Sequence, residues 1–368
     1  MKIIVNKKPF LELIQNAINY IIARKTTIPI TEGILLRVPS EDKIELCSTD
    51  LEVFLQQSMS AETEKETVGQ SWVIDAKFFA NLLPKLESEI VMMEFLKSTV
   101  KIIVGKNSYI SPWQEANVFP VPPNLIPEQT LAIEYDTAVF KNYINKCIPF
   151  TTNDETRPVL AGIHYSQKDG FVNIEAADMF KMIHAKDTTD SNVEIDVVIP
   201  NKFSGTYTKI YSGEETVLKI DSKYIRLYGD GFMLHCRKIE FNFPNTASVY
   251  NQSIPYKLIV KKDTIVNAMK RMMVVNTMSK VVIFEIGKEK LVVKSSNEAV
   301  GMSGEEVFED FKCDGDEARI GVNPDYMIAC LNAFRSENVI INYLSKDKPL
   351  IMRDDKGAVE TLVMPLAI

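Results

Sequence analysis

Apolar residues recur near 3.6-residue spacing in several separate stretches, and between them the pattern switches to strict alternation. Phe10, Leu13, Ile14, Ala17, Ile18 and Ile21 share one face of residues 9–22, which predicts an amphipathic helix. Residues 136–147 repeat it with Val139, Phe140, Tyr143, Ile144 and Cys147, and residues 263–275 with Ile265, Ala268, Met269 and Met272. Asp136 and Asp263 suit the N-caps of these helices, and Pro9 suits a first turn. A second helix is predicted each time a short apolar strand ends, at Asp75-Ala76-Lys77, Pro200-Asn201-Lys202 and Asn323-Pro324-Asp325. Lys77, Lys202 and Asp325 are thus equivalent positions, separated by steps of about 125 residues.

Other landmarks keep the same step. An Asx residue closes a strand at Asp50, Asp178 and Asn297, and an apolar-Pro pair closes each unit at Phe119-Pro120, Phe243-Pro244 and Met364-Pro365. Steps this long are too large for a solenoid and fit three copies of one domain, with boundaries at 1–127, 128–253 and 254–368. Residues 43–47 and 51–55 alternate as half-buried antiparallel strands do. The predicted class is α+β: three tandem copies, each with two helices packed on an antiparallel sheet. Gly229-Asp230-Gly231, between two strand-like runs, reads as a hairpin turn.

Composition narrows the chemistry. With 368 residues, 46% apolar and 25% charged, the chain is an ordinary globular protein. No apolar run approaches the roughly 18–20 residues that span a bilayer. The run after Met1 stops at Asn6, so no leader and no membrane partner are expected, and a cytoplasmic protein is. Five scattered cysteines, Cys47, Cys147, Cys236, Cys313 and Cys330, lack any C-x-x-C spacing, so no metal site is predicted. The three histidines, His164, His184 and His235, lie in or beside strand-like runs and read as structural. Phosphate-binding glycine motifs and a nucleophile elbow are absent from the sequence, so neither a catalytic residue nor a cofactor is expected. The acidic run Glu305, Glu306, Glu309, Asp310, Asp314, Asp316 and Glu317 lacks calcium-loop spacing and reads as a solvated edge.

Charge distribution changes the picture drawn from net charge. The formal charge of −7 alone argues against a surface that binds nucleic acid. The six helical windows, however, hold 13 Lys and Arg against 5 Asp and Glu, and the remainder carries the acidic excess. If the helices faced a common axis, an acidic protein would enclose a positive channel.

Specific segments now resemble a known family, the bacterial DNA polymerase III beta subunit, or sliding clamp. They are Lys25-Thr26-Thr27-Ile28-Pro29-Ile30, the run from Asp154 to Gly162, Asn323-Pro324-Asp325-Tyr326 with Leu331-Asn332-Ala333-Phe334, and Val363-Met364-Pro365-Leu366. The likeness runs from Met1 to Ile368. It implies a head-to-tail homodimer forming a six-domain ring, loaded by an ATP-dependent clamp loader onto double-stranded DNA. Such a ring tethers the DNA polymerase catalytic subunit and other replication and repair proteins without catalysis of its own. Arg24, Lys25, Lys141, Lys202, Lys209, Lys270 and Arg271 are then the DNA-facing candidates. The resemblance also implies a partner-peptide groove between the second and third copies. It would use Leu160, Ala177, Met179, Phe180, Lys181, Met182, Pro244, Ser248, Val249, Asn323, Tyr326, Val363, Met364, Pro365 and Leu366. A dimer contact would set Met273 and Val274 against Tyr109, Ile110 and Ser111. Where the family commonly shows Asp-x-His-Arg-Leu, this chain has Asp178-Met179-Phe180-Lys181-Met182, and its tail has Ala367 where a polar residue is common. Those departures imply a more hydrophobic groove and a divergent or phage-encoded member. A metal-dependent nuclease and a ring component that never meets DNA are the rival readings.

Overall fold

The computed structural model describes residues 1–23, 25–154, 156–276, 280–354 and 357–368. The three copies seen in the sequence fold into two compact units, because strands pair across the copy boundaries. One unit holds Met1–Lys141 and Lys202–Lys238; the other holds Asn142–Asn201 and Ile239–Ile368. The middle copy is shared between them.

In the first unit a thirteen-stranded sheet joins the first copy to four strands of the second, Leu131–Asp136, Glu215–Ile220, Tyr224–Gly229 and Phe232–Arg237. The joint is the antiparallel pair of Phe232–Arg237 with Val53–Ser60, in which His235 faces Phe54. In the second unit a nine-stranded sheet joins Lys181–Thr188 of the second copy to Val359–Val363 of the third, with Met182 opposite Leu362. A separate four-stranded sheet runs in the order Met302–Phe308, Leu291–Asn297, Val282–Ile286, Ala318–Val322. The strand pairs are antiparallel throughout, as the alternation predicts.

The helices bury most of the face that spacing predicts, although Val139, expected on the buried face of residues 136–147, is 47% exposed. Phe10, Ile14 and Ala17 of the helix Lys7–Tyr20 and Phe79 of the helix Ala76–Leu82 pack on Leu36, Ile44 and Leu46. Phe10 and Phe79 meet edge to face at 5.9 Å, and Trp72 stacks on Phe95 at 4.0 Å in the same core. In the second copy Phe140 lies 5.7 Å from Tyr207, whose hydroxyl is 2.6 Å from Thr216 Oγ1. That bond satisfies a phenol that burial would otherwise penalise. In the third, Ile265, Ala268, Met269 and Met272 are buried on the helix Lys262–Val275, and Met327, Cys330 and Leu331 on the helix Pro324–Asn332.

Local corrections have simple causes. The first helix starts at Lys7, two residues early, since Asn6 ends a strand and the Lys7 N–H is already taken by Glu89 O at 2.8 Å. Asp136 caps as predicted, accepting from Val139 N at 3.0 Å. Asp263 does not cap: Lys261 occupies that position, and Asp263 lies in the first turn, where the helix dipole still favours it. Leu51 is not in a strand. It takes φ 79° in a turn closed by Asp50 Oδ1, which accepts from Glu52 N at 3.1 Å and Val53 N at 2.9 Å. The hairpin at residues 229–231 forms, with Gly231 at φ 61°. Replacing Phe10 with Ala should cost about 3–5 kcal/mol, the usual toll of a cavity at a fully buried aromatic. Denaturant unfolding followed by Trp72 fluorescence will read the loss.

Candidate functional site

The basic helix residues have different fates. Lys141 turns its ammonium to the end of the helix Asn201–Ile210, donating to Thr208 O at 3.0 Å and to Tyr211 O, and burial lowers its pKa. Lys202 lies 2.5 Å from Asp50 and 2.7 Å from Glu52, which offset its burial and raise its pKa. Arg271 is held by both oxygens of Glu306 at 2.6 Å. Each of these three DNA-facing candidates has its charge paired within the chain. Long side chains such as these reach the nearest acceptor. Lys209 is exposed and sits 5.6 Å over the Tyr20 ring. Lys25 and Lys270 are exposed with no partner among the described residues. Arg24 lies outside the described residues.

Most of the predicted groove residues come together in the second unit. The turn after Ala177 repeats the Asp50 geometry: Asp178 Oδ1 accepts from Phe180 N at 2.7 Å and Lys181 N at 2.8 Å. That turn leaves Met179 and Phe180 exposed. Phe180 stacks on Tyr326 at 5.7 Å, and Phe180 O accepts from Met364 N at 2.7 Å. Asn323 caps the helix that carries Tyr326, accepting from Asp325 N at 2.9 Å. Leu366 N donates to Gly321 O at 2.8 Å, which fixes the tail beside the same helix, with Pro365 half-buried between Met364 and Leu366. Met182 and Val249 pack on a floor of Tyr250, Ile254, Ile351 and Leu362. Pro244 and Ser248 are exposed, and Leu160 is half-buried in the turn Pro158–Ala161.

Three predicted contacts are not surface groups. Ala177 and Val363 are buried, and Lys181 is buried with its ammonium paired to Asp178 and 4.8 Å over the Tyr326 ring. The Lys181 charge is therefore spent inside the fold. Floor residues Tyr250, Ile254, Ile351 and Leu362 escaped the sequence reading. Their apolar character was visible, but their meeting depends on the Met182–Leu362 register.

The linker over this floor is fixed by polar contacts. Phe243 stacks on His164 at 5.0 Å, and Thr246 Oγ1 donates to Glu175. His164 bridges Glu175 at 2.9 Å and Asp196 at 3.1 Å.

Among the open edges of the described strands, two carry exposed apolar side chains at or beside the expected dimer contact. Residues 107–112 of the strand Asn107–Glu115 pair on one side only, with Thr99–Val104, and expose Tyr109 and Ile110. Ser111, expected at the same contact, is buried in its own sheet. Met302–Phe308 is the second of these edges, paired only with Leu291–Asn297 and exposing Met302 and Val307. The helix that packs near this strand carries half-buried Met273 and Val274, which is 75% exposed. The Met302–Phe308 edge escaped the sequence reading because an edge is a property of sheet order.

Among the described residues the acidic run forms no group that could hold a metal ion. Glu306 pairs with Arg271, Asp310 with Lys261 at 2.6 Å, and Asp316 accepts from Tyr256. Among the described residues no helix is long and apolar enough to cross a membrane.

Solved structures define the class of protein. The fold matches a DNA polymerase sliding clamp from Bacillus subtilis with a TM-score of 0.90 at 22% identity, over 100% of this chain and 99% of that one. It matches the DNA polymerase III beta chain of Streptococcus pneumoniae with a TM-score of 0.91 at 20% identity, over all of both chains. The chain is thus an α+β protein of three clamp domains. Family models for the DNA polymerase III beta subunit then match it in order: N-terminal domain at residues 1–123, central domain at 134–245, C-terminal domain at 251–367. A beta sliding clamp of Bacillus subtilis is 24% identical over 381 aligned positions, spanning 100% of this chain and 99% of that protein. The chain belongs to the DNA polymerase III beta subunit family, the sliding clamp that serves as a non-catalytic processivity subunit of that polymerase.

The linker anchor has a predictable pH window. Burial opposes charge on His164, but the bonds to Glu175 and Asp196 outweigh it and raise its pKa above the ordinary 6.5. Burial likewise opposes charge on Glu175, and its bonds from His164 and Thr246 lower its pKa below 4.5. The histidine's contribution is complete below 6.5 and is lost as pH rises through its folded value. Glu175 contributes above 4.5 and loses that contribution as pH falls through its own folded value. The anchor should be firmest between these limits. Replacing His164 with Gln should flatten the pH dependence of amide hydrogen exchange at residues 246–250.

Proposed function

We propose that two copies of this chain close head to tail into a six-domain ring around duplex DNA and hold a replicative polymerase on its template. The observation that carries the reading is that two of the open strand edges, one in the first copy and one in the third, present exposed apolar side chains: Tyr109 and Ile110 on one, Met302 and Val307 on the other, with Val274 on the helix packed near it. An unpaired strand edge flanked by apolar side chains is a template for another chain. Two different edges on one chain make a heterologous contact, which closes into a ring when the rotation permits. Tyr109 and Ile110 supply one side of that contact, and Met273, Val274 and the Met302–Phe308 strand supply the other. Domain boundaries at 1–127 and 128–253 enclose the first two family models, and the third, at 251–367, begins three residues before the boundary at 254, which supports limits close to these.

Topological linkage does the work that tight binding would do elsewhere. It keeps a tethered enzyme at high effective concentration while leaving the ring free to slide. Backbone attraction need only be weak and sequence-independent. Lys25, Lys209 and Lys270 are the exposed candidates for it, and pairing of Lys141, Lys202 and Arg271 keeps the attraction modest. A closed ring needs an ATP-dependent loader. It works in the cytoplasm, where replication proteins meet it.

Partner proteins would dock short peptides on the surface formed by Met179, Phe180, Tyr326, Met364 and the floor beneath Val249. With Lys181 already paired, recognition there is mainly apolar. The polymerase, the loader and repair proteins would share that groove.

Three results are expected. Loaded protein should stay on nicked circular DNA through gel filtration and be lost once the circle is cut; equal retention on linear DNA would contradict encirclement. Replacing Val274 with Glu should convert dimers to monomers by light scattering. Exchanging both Lys25 and Lys270 for Gln should shorten retention on circles at low salt more than at high salt.

A further inference from the structure

The first copy boundary carries a feature of its own. On the sheet face opposite the helices Lys7–Tyr20 and Ala76–Leu82 lies a cavity of about 640 Å³. Its walls come from Arg37, Lys43 and Glu45 of the first copy and Arg226, Tyr228 and Met233 of the second, with residues 121–124 along one side.

Arg226 is unusual. It is 8% exposed, yet each bond it makes goes to a neutral acceptor. Its Nε donates to His235 Nδ1 at 3.0 Å, Nη1 donates to Tyr228 Oη at 3.1 Å, and Nη2 donates to Pro123 O. Burial and the neighbouring guanidinium push the His235 pKa down to about 4, so this ring stays uncharged at neutral pH. Asp221 acts on Arg226 only through space, since its oxygens accept from Ile126 N, Lys223 N and Tyr224 N. A buried guanidinium without a bonded carboxylate is costly unless something supplies one. Arg37 and Lys43 add positive charge to the same cavity, against Glu45 alone.

Register places this cavity where the second boundary has its apolar floor. Each boundary begins with the same turn, at Asp50 and at Asp178, and four residues on stand Phe54 and Met182. Phe54 faces His235, which faces Arg226. Met182 faces Leu362, which faces Ile351. One position in the repeat thus carries Arg-His at the first boundary and Ile-Leu at the second.

We propose that the first-boundary cavity is a second peptide-docking site, one that takes an extended acidic segment of a partner protein. A carboxylate side chain lies on Arg226, flanked by Arg37 and Lys43, and a neighbouring apolar side chain rests on Met233 and Val121. Charge complementarity selects the occupant. Arg226 has N–H groups left after its three bonds, and a guanidinium fork fits a carboxylate. Glu45 in the wall disfavours a phosphate dianion more than a single carboxylate. This site does not depend on the groove proposed at the second boundary.

Methionine-methyl NMR of the full chain separates the two sites: Met233 reports the cavity, and Met182 and Met364 report the other groove. The probes are the blocked hexapeptide Gly-Glu-Glu-Val-Val-Gly, its Gln-Gln counterpart, and inorganic phosphate. The acidic peptide should shift the Met233 methyl saturably. The amide peptide should bind about tenfold more weakly, as expected for loss of a charge-assisted pair. The variant R226M should abolish the shift. Should that buried change prevent folding, the double variant R37Q/K43Q, at one half-buried and one exposed position, should weaken binding by a similar factor. No Met233 shift at millimolar peptide, equal shifts with both peptides, a response to phosphate alone, or shifts confined to Met182 and Met364 would each overturn the proposal.

Discussion

A β-strand edge leaves a row of backbone N–H and C=O groups that must find partners, and the fold is organised by how those rows are satisfied. The first copy meets the second through Val53–Ser60 and Phe232–Arg237, and the second meets the third through Lys181–Thr188 and Val359–Val363. The boundary between copies is therefore the middle of a sheet. This explains why three sequence repeats fold as two compact units, with the middle copy divided. Among the edges left open are one in the first copy and one in the last that carry exposed apolar side chains, which suits a head-to-tail assembly.

The repeat fixes backbone geometry more strictly than side-chain chemistry. Asp50 and Asp178 make the same turn with the same two acceptor bonds, and the strands that follow pair in the same register. What stands on that common frame differs. At the second boundary Met182, Ile351 and Leu362 build an apolar floor, whereas at the first Arg226 and His235 build a polar one. Duplication has supplied two similar frames, and substitution at a few positions has made them chemically unlike.

Charge follows the same division between frame and detail. The helices carry the basic excess and the rest of the chain the acidic one, although the protein is acidic overall. Several of those basic groups nevertheless end on carboxylates or carbonyl groups of the chain itself: Lys202 on Asp50 and Glu52, Arg271 on Glu306, Lys141 on Thr208. A field that is positive but not densely so suits a protein that must stay near DNA without stopping on it.

The amino-acid pattern alone determined the three copies, the α+β class, the buried helix faces and the hairpin at Gly231, because each depends on local periodicity or turn chemistry. It also carried Asp136 as a cap, and it brought Phe180, Tyr326 and Met364 under one hypothesis through resemblance. Only the tertiary structure decided that Val363 and Lys181 are buried, that Lys141 caps a neighbouring helix, and that Met302–Phe308 is an open edge. Those outcomes rest on strand order, register and the reach of long side chains, which are contacts between residues distant in sequence. The Arg226–His235 pair belongs with them: both residues are plain in the sequence, but their burial side by side follows from one antiparallel register.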